Sequence, residues 1–160
     1  MLKIKIIAIG SLKEKYWREG TEEYLKRLQK YANTEVLQLP EERLRDKGGP
    51  AEEEQVRKAE GERIIKALGS DEHVIILDIK GRKMNSPDLA SYIEKAMADG
   101  TGRITFVIGG SLGLSREVIA KGRLSLSFSD MTFPHQLMRL ILLEQVYRAF
   151  KIIKKEPYHK

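Results

Sequence analysis

Two short segments, His73–Ile79 (HVIILDI) and Arg103–Ile108 (RITFVI), restrict the fold most, because each is apolar on both faces of a strand. A strand with no polar face cannot turn one side to water, so each reads as an interior strand of a sheet covered on both sides. Three further strand-like runs, 2–9, 34–39 and 124–128, alternate with stretches of helical periodicity. In the first run Leu2, Ile4 and Ile6 share one face, while Ile7 and Ile9 make the second half apolar on the other. Helices are expected over 13–32 (with Gly20 a weak point), 51–68, 86–100 (started and capped by Ser86-Pro87-Asp88) and 134–154, plus a short one capped by Ser115, with a charged surface loop over 41–50. Strands alternating with helices predict an α/β fold, a parallel-rich sheet flanked by helices on both faces. At 160 residues the chain is expected to be a single domain, 1–160, with a core that needs no covalent staples.

In such folds ligands bind beyond the carboxyl ends of the strands. That rim is expected to carry Leu77–Gly81, where Gly81 turns the chain, together with Gly109–Leu114 and Phe128–Pro134. The loop Gly109-Gly110-x-x-Gly113 lets a ligand approach bare backbone, or is a tight turn and nothing more. Its spacing departs from the G-x-G-x-x-G dinucleotide fingerprint and it follows the fourth strand, although Asp130 downstream keeps a nucleotide-dependent oxidoreductase as a rival. No Gly-Lys-Ser/Thr follows, which excludes a P-loop. The stretch LSLSFSDMTFP is rich in hydroxyls and apolar groups and has no positive charge. It suits a neutral flat ligand such as adenine, or is an ordinary strand and turn.

Several chemistries are missing from the sequence. There is no cysteine, hence no disulfide, thiolate nucleophile or Cys-based zinc site. No H-E-x-x-H or G-x-S-x-G occurs, and the three histidines, His73, His135 and His159, show no metal-ligand spacing, so no metal is expected. The N-terminal MLKIKIIAIG has lysines breaking its apolar run, and Leu137–Leu143 is too short to span a bilayer, so no membrane association and a cytoplasmic location are expected. The net charge is +6, and the segment from Arg148 to Lys160 holds Arg148, Lys151, Lys154, Lys155 and Lys160 against Glu156 alone. Such a tail meets phosphates, or is a solvated helix end whose lysines suit the macrodipole. The 134–154 helix is apolar nearly all round, which fits either a central core helix or one covered in part by a second subunit.

FVIGGSLGL, then LSLSFSDMTFPHQLMRLILLEQVYRAFKIIKKEPYHK, closely resembles the RlmH family of the SPOUT superfamily, and IAIGSLKEKYWREGTEEYLKRL is similar to that family's opening. The likeness spans essentially the whole chain, and the P-H-x-x-x-R, E-Q-V-Y-R-A-F and terminal Y-H elements are specific together.

The resemblance implies an enzyme that methylates N3 of a pseudouridine in a stem-loop of 23S rRNA, with S-adenosylmethionine as donor and no metal. It implies a homodimer acting on the large subunit within assembled 70S ribosomes, and a C-terminal trefoil knot of SPOUT type. It places the cofactor at Leu77, Gly109, Phe128, Ser129, Asp130, Met131, Thr132, Phe133 and Pro134, the three loops already expected on one rim. It places Tyr158, His159 and Arg148 at the reacting base, with Glu144 the acidic neighbour of Arg148. RNA contacts fall to Arg139 of the P-H-x-x-x-R element and to Arg148, Lys151, Lys154, Lys155 and Lys160. The chain ends in Lys160 where some members carry arginine and one more residue. Imidazole titrates near neutrality as a side-chain type, which suits His159 to general-base work.

Overall fold

The two doubly apolar segments lie inside a parallel five-stranded sheet in the computed structural model, which describes residues 1–45 and 48–160. The chain order is β1 (Lys3–Ile9), α1 (Lys15–Leu28), β2 (Asn33–Leu39), α2 (Pro50–Ala67), β3 (His73–Lys83), α3 (Ser86–Ala98), β4 (Arg103–Ile108), α4 (Arg116–Ile119), β5 (Leu124–Ser127) and α5 (His135–Ile153). The strands lie in the order β2-β1-β4-β3-β5, all parallel. Part of the surface loop expected at 41–50, residues 46 and 47, lies outside the described residues.

Two-residue alternation divides the core between the faces. Ile4, Ile6, Ala8, Ile75, Ile104, Phe106 and Leu126 point to the side covered by α1, α3 and α5. Ile7, Ile9, Val74, Ile76 and Val107 point to the other side, where Ile64 of α2 and Val118 of α4 meet them. The helix apolar nearly all round is a core helix in the chain itself: α5 buries Leu142, Leu143, Val146, Ala149 and Phe150 between α1, α3 and the sheet. Gly20 explains its place inside α1, because a Cβ there would lie 3.0 Å from Leu140 Cδ2 of α5.

Three expectations need correction. The first helix is 15–28 rather than 13–32: Glu14 offers no side-chain cap, and after Leu28 the chain tightens, with Tyr31 and Ala32 N–H both donating to the Leu28 carbonyl. The cap of α3 is Asn85, one residue before the Ser86-Pro87-Asp88 start. Asn85 Oδ1 accepts from Asp88 N–H at 2.8 Å and Asp88 answers in a capping box, while Ser86 Oγ donates instead to Gln145 at 2.6 Å. Gly81 does not end its strand. Leu77 and Arg82 both register with Leu126 of β5, so residues 78–81 loop out and β3 resumes. A Cβ at Gly81 would lie 2.6 Å from the Ser125 carbonyl carbon, a backbone approach open to glycine alone.

Candidate functional site

The carboxyl ends of β3, β4 and β5 enclose a cleft of about 700 Å³, a size that suits a nucleoside-like molecule. Its walls are residues 77–79, 108–114, 126–129 and 131–135, closed below by Met138. All three rim loops inferred from the sequence therefore meet around one space.

Each loop is shaped by its own residues. In the glycine loop, Gly113 has φ +81° and its N–H donates to the Gly110 carbonyl at 3.1 Å, which makes the turn tight. A Cβ at Gly109 would sit 2.9 Å from Leu114 Cγ, and one at Gly110 would sit 3.1 Å from Glu60 Oε1. Glu60 is a buried carboxylate of α2 behind this loop. It accepts from Glu42 N–H at 3.0 Å, and burial pushes its carboxyl above the usual range. After β5, Ser127 Oγ donates to the Ser129 carbonyl (3.2 Å) and Ser129 Oγ accepts from Met131 N–H (2.9 Å), which folds the hydroxyl-rich stretch over the cleft. His135, in the first turn of α5, also lines it. Burial, then the nearby Arg139 and opposed by Glu41, lowers its imidazole below the ordinary value, so it is neutral at pH 7.

The C-terminal residues form a second cluster. Helix α5 ends in a Schellman motif: Lys155 takes φ +54°, its N–H donates to the Ile152 carbonyl, and Glu156 N–H donates to that of Lys151. The chain then folds back along the helix. Tyr158 Oη donates to Glu144 Oε1 at 3.0 Å, and Arg148 Nη2 reaches the same oxygen at 2.6 Å while its guanidinium lies 4.6 Å from the centre of the Tyr158 ring. Burial, with hydrogen bonds to Tyr24 and Glu144, pushes the Tyr158 phenol well above its ordinary range. Arg148 Nη1 lies 3.3 Å from His159 Nδ1, and since a guanidinium only donates, Nδ1 is the acceptor. Glu156 pins the backbone through Lys151 (2.6 Å) and Tyr31 Oη (2.5 Å), and its carboxyl falls to about 2, chiefly because of the Lys151 bond.

The model of the family described as "Predicted SPOUT methyltransferase" matches residues 2–159. The chain belongs to the SPOUT methyltransferase family. It is 52% identical over 159 residues to "Ribosomal RNA large subunit methyltransferase H" of Carboxydothermus hydrogenoformans, covering 99% of this chain and 100% of that protein. Proteins of the same name from Bacillus cereus (52% over 159 residues) and Acetivibrio thermocellus (50% over 159 residues) align over the same shares of both chains. The glycine loop is thus part of a methyltransferase, which sets aside the oxidoreductase rival.

In this SPOUT chain Leu77, Gly109, Phe128, Ser129, Met131, Thr132, Phe133 and Pro134 line the cleft. Asp130 points away, exposed and paired with Lys83 at 2.5 Å. His135 and Met138 were not assigned to the cleft from the sequence; the available signal was that a first helical turn after a rim loop faces the rim. Arg148, Tyr158 and His159 come together as a group, but at the far end of α5. Arg148 lies thirteen positions beyond His135, about 20 Å along a helix. Lys154, Lys155 and Lys160 are exposed, Lys151 is tied to Glu156, and Arg139 is buried at 2% exposure beneath the rim. Among the described residues no cluster of His, Asp or Glu could hold a metal ion, and no helix is long and apolar enough to cross a membrane.

Proposed function

We propose that this SPOUT methyltransferase is a cytoplasmic homodimer that methylates N3 of a pseudouridine in a 23S rRNA stem-loop on the assembled 70S ribosome, with S-adenosylmethionine as donor. The observation that carries this reading is the convergence of three backbone loops on one mostly apolar cleft, in a chain aligned end to end with proteins named for large-subunit ribosomal RNA methylation.

The cleft fits the donor. Its walls are mostly apolar side chains and exposed backbone, with Asp78 the one carboxylate residue lining it among the described residues, and glycine at 109 and 110 keeps the loop backbone bare. Leu77, Gly109 and the 128–134 segment would hold the adenosine part. When bound, S-adenosylmethionine supplies a methyl group already activated at a sulfonium. The remaining task of the protein is alignment, which is worth roughly 7–11 kcal/mol. The C-terminal segment is read as threaded into a trefoil knot, a reading supported by the match to the SPOUT family alone.

His159 Nδ1 takes the proton that leaves the acceptor nitrogen, once Arg148 Nη1, which donates to that lone pair in the free protein, turns to a phosphate of the bound RNA. Tyr158, protonated at working pH, orients or stacks on the uracil face. Arg148, Lys151, Lys154, Lys155 and Lys160 hold phosphates. Within one chain these groups lie far from the cleft, so the tail of one subunit serves the cleft of the other.

The test is transfer of labelled methyl from S-adenosylmethionine to 70S ribosomes, followed by nucleoside analysis. Label is expected in N3-methylpseudouridine. Label in another nucleoside, or none in RNA, would refute the reading.

A further inference from the structure

A second cavity, of about 230 Å³, opens where β1 and β2 end, between α1 and α5. Ile6, Leu25, Val36 and Leu143 form apolar walls, and Arg18, Glu22 and Arg139 bring charge to it. Arg139 is the unusual member. It is 2% exposed, and no carboxylate pairs with it among the described residues. Its Nη1 donates to Gln38 Oε1 (2.7 Å) and its Nη2 to the carbonyls of Ile9 (3.1 Å) and Gly10 (2.6 Å), but its Nε finds no acceptor. Those bonds account for how α5 is tied to the end of β1. They leave a buried positive charge without a counter-charge and a buried N–H without a partner, both costly in a folded chain. Arg18 adds a second guanidinium, held in place by donating from Nη1 to the carbonyls of Leu12 (3.1 Å) and Lys13 (2.9 Å).

Two guanidiniums ask for an anion. Glu22 beside them disfavours a bare one but accepts a hydrogen bond from a hydroxyl. A ribose carrying a phosphate offers both groups. We propose that this cavity binds one ribose–phosphate unit of the RNA backbone, the phosphate toward Arg139 and Arg18 and the 2′-hydroxyl toward Glu22. The proposal rests on the reading that the substrate is RNA, and it gives that RNA an anchor outside the methyl-transfer cleft.

The test follows the Nε–H signals of Arg139 and Arg18 by ¹⁵N NMR while the full-length protein is titrated with uridine 3′-monophosphate. Saturable shifts at both arginines are expected, weaker with the 2′-deoxy nucleotide, and that difference is expected to vanish in Glu22→Ala, which has no acceptor for the hydroxyl. In Arg18→Gln the KM for ribosomes is expected to rise roughly three- to tenfold, and the slope of log affinity against log salt to flatten by about one. Affinity for S-adenosylmethionine should not change. Absent shifts, equal shifts with acetate, or shifts that follow protein concentration alone, the sign of a second copy filling the cavity, would overturn the site. Nucleotide shifts in a protein that methylates no RNA would sink the proposed activity and leave the site standing.

Discussion

The Glu144 carboxylate receives both Tyr158 and Arg148, which makes Glu144→Ala the most informative perturbation of the C-terminal tail. Glu144 Oε1 accepts from Tyr158 Oη (3.0 Å) and from Arg148 Nη2 (2.6 Å), while Oε2 accepts from Gln145 Nε2 (2.8 Å). A hydrogen bond to a charged acceptor contributes roughly 1.5–3 kcal/mol. The Arg148 pair is partly open to water, with side chains 25% and 19% exposed, so it counts for roughly 0.5–1 kcal/mol. The edge contact of Tyr158 with Tyr147 and the stack of Arg148 on Tyr158 survive the substitution, which favours the low end of the sum. A loss of about 2 kcal/mol is expected, roughly a 30-fold shift toward an undocked tail. The Tyr158 ring signals read it by NMR, because the docked ring lies edge-on to Tyr147 at 5.0 Å. The undocked population should rise about 30-fold while β4 amides keep their exchange protection, and turnover should fall with donor affinity unchanged. Lost turnover with the Tyr158 ring still docked would mean that Glu144 does not act by holding the tail, and the reasoning would be wrong.

The remaining expectations concern the cleft and the tail separately. Gly109→Ala places a Cβ 2.9 Å from Leu114 Cγ and 3.0 Å from the Gly113 carbonyl carbon; a stability cost of about 1–3 kcal/mol and at least tenfold weaker donor binding by calorimetry are expected, and full affinity would remove the loop from the cofactor site. The Glu156 carboxyl is depressed from 4.5 to about 2, so its contribution to tail docking is present above pH 4.5 and lost as pH falls toward 2. Ring signals of Tyr31 and Tyr158 should report release inside that window, and release already complete at pH 5 would contradict it. His159→Ala is expected to lower kcat by roughly 10²–10⁴ with donor affinity intact, and a large loss of donor affinity would overturn its role.

The sheet was legible because β3 and β4 carry apolar side chains on both faces, a pattern with few solutions other than an interior parallel strand. The rim followed from it, since parallel strands put their carboxyl ends on one edge, and the three loops inferred there do share one cleft. Other features were hidden because they depend on distant partners. Gly81 looks like a chain turn in isolation, and only its contact with the Ser125 backbone reveals a bulge inside a continuing strand. Gly20 looks like a weak point in α1 until Leu140 is seen above it. The tail reads as a frayed basic end, because a left-handed Lys155 is not signalled by sequence and the anchors of Glu156 and Tyr158 come from Tyr31 in the loop after α1 and Tyr24 in α1, far away in the chain. The family resemblance makes Arg139 an RNA contact, yet it is buried under the rim because the carbonyls ending β1 receive it.

The most direct test of the central claim is a crystal structure of the chain grown with S-adenosylmethionine. The adenosine part is expected between Leu77, Gly109 and residues 128–134, with the methyl-bearing sulfur turned to the open side of the cleft. Donor bound elsewhere, with those three loops making no contact to it, would contradict the account.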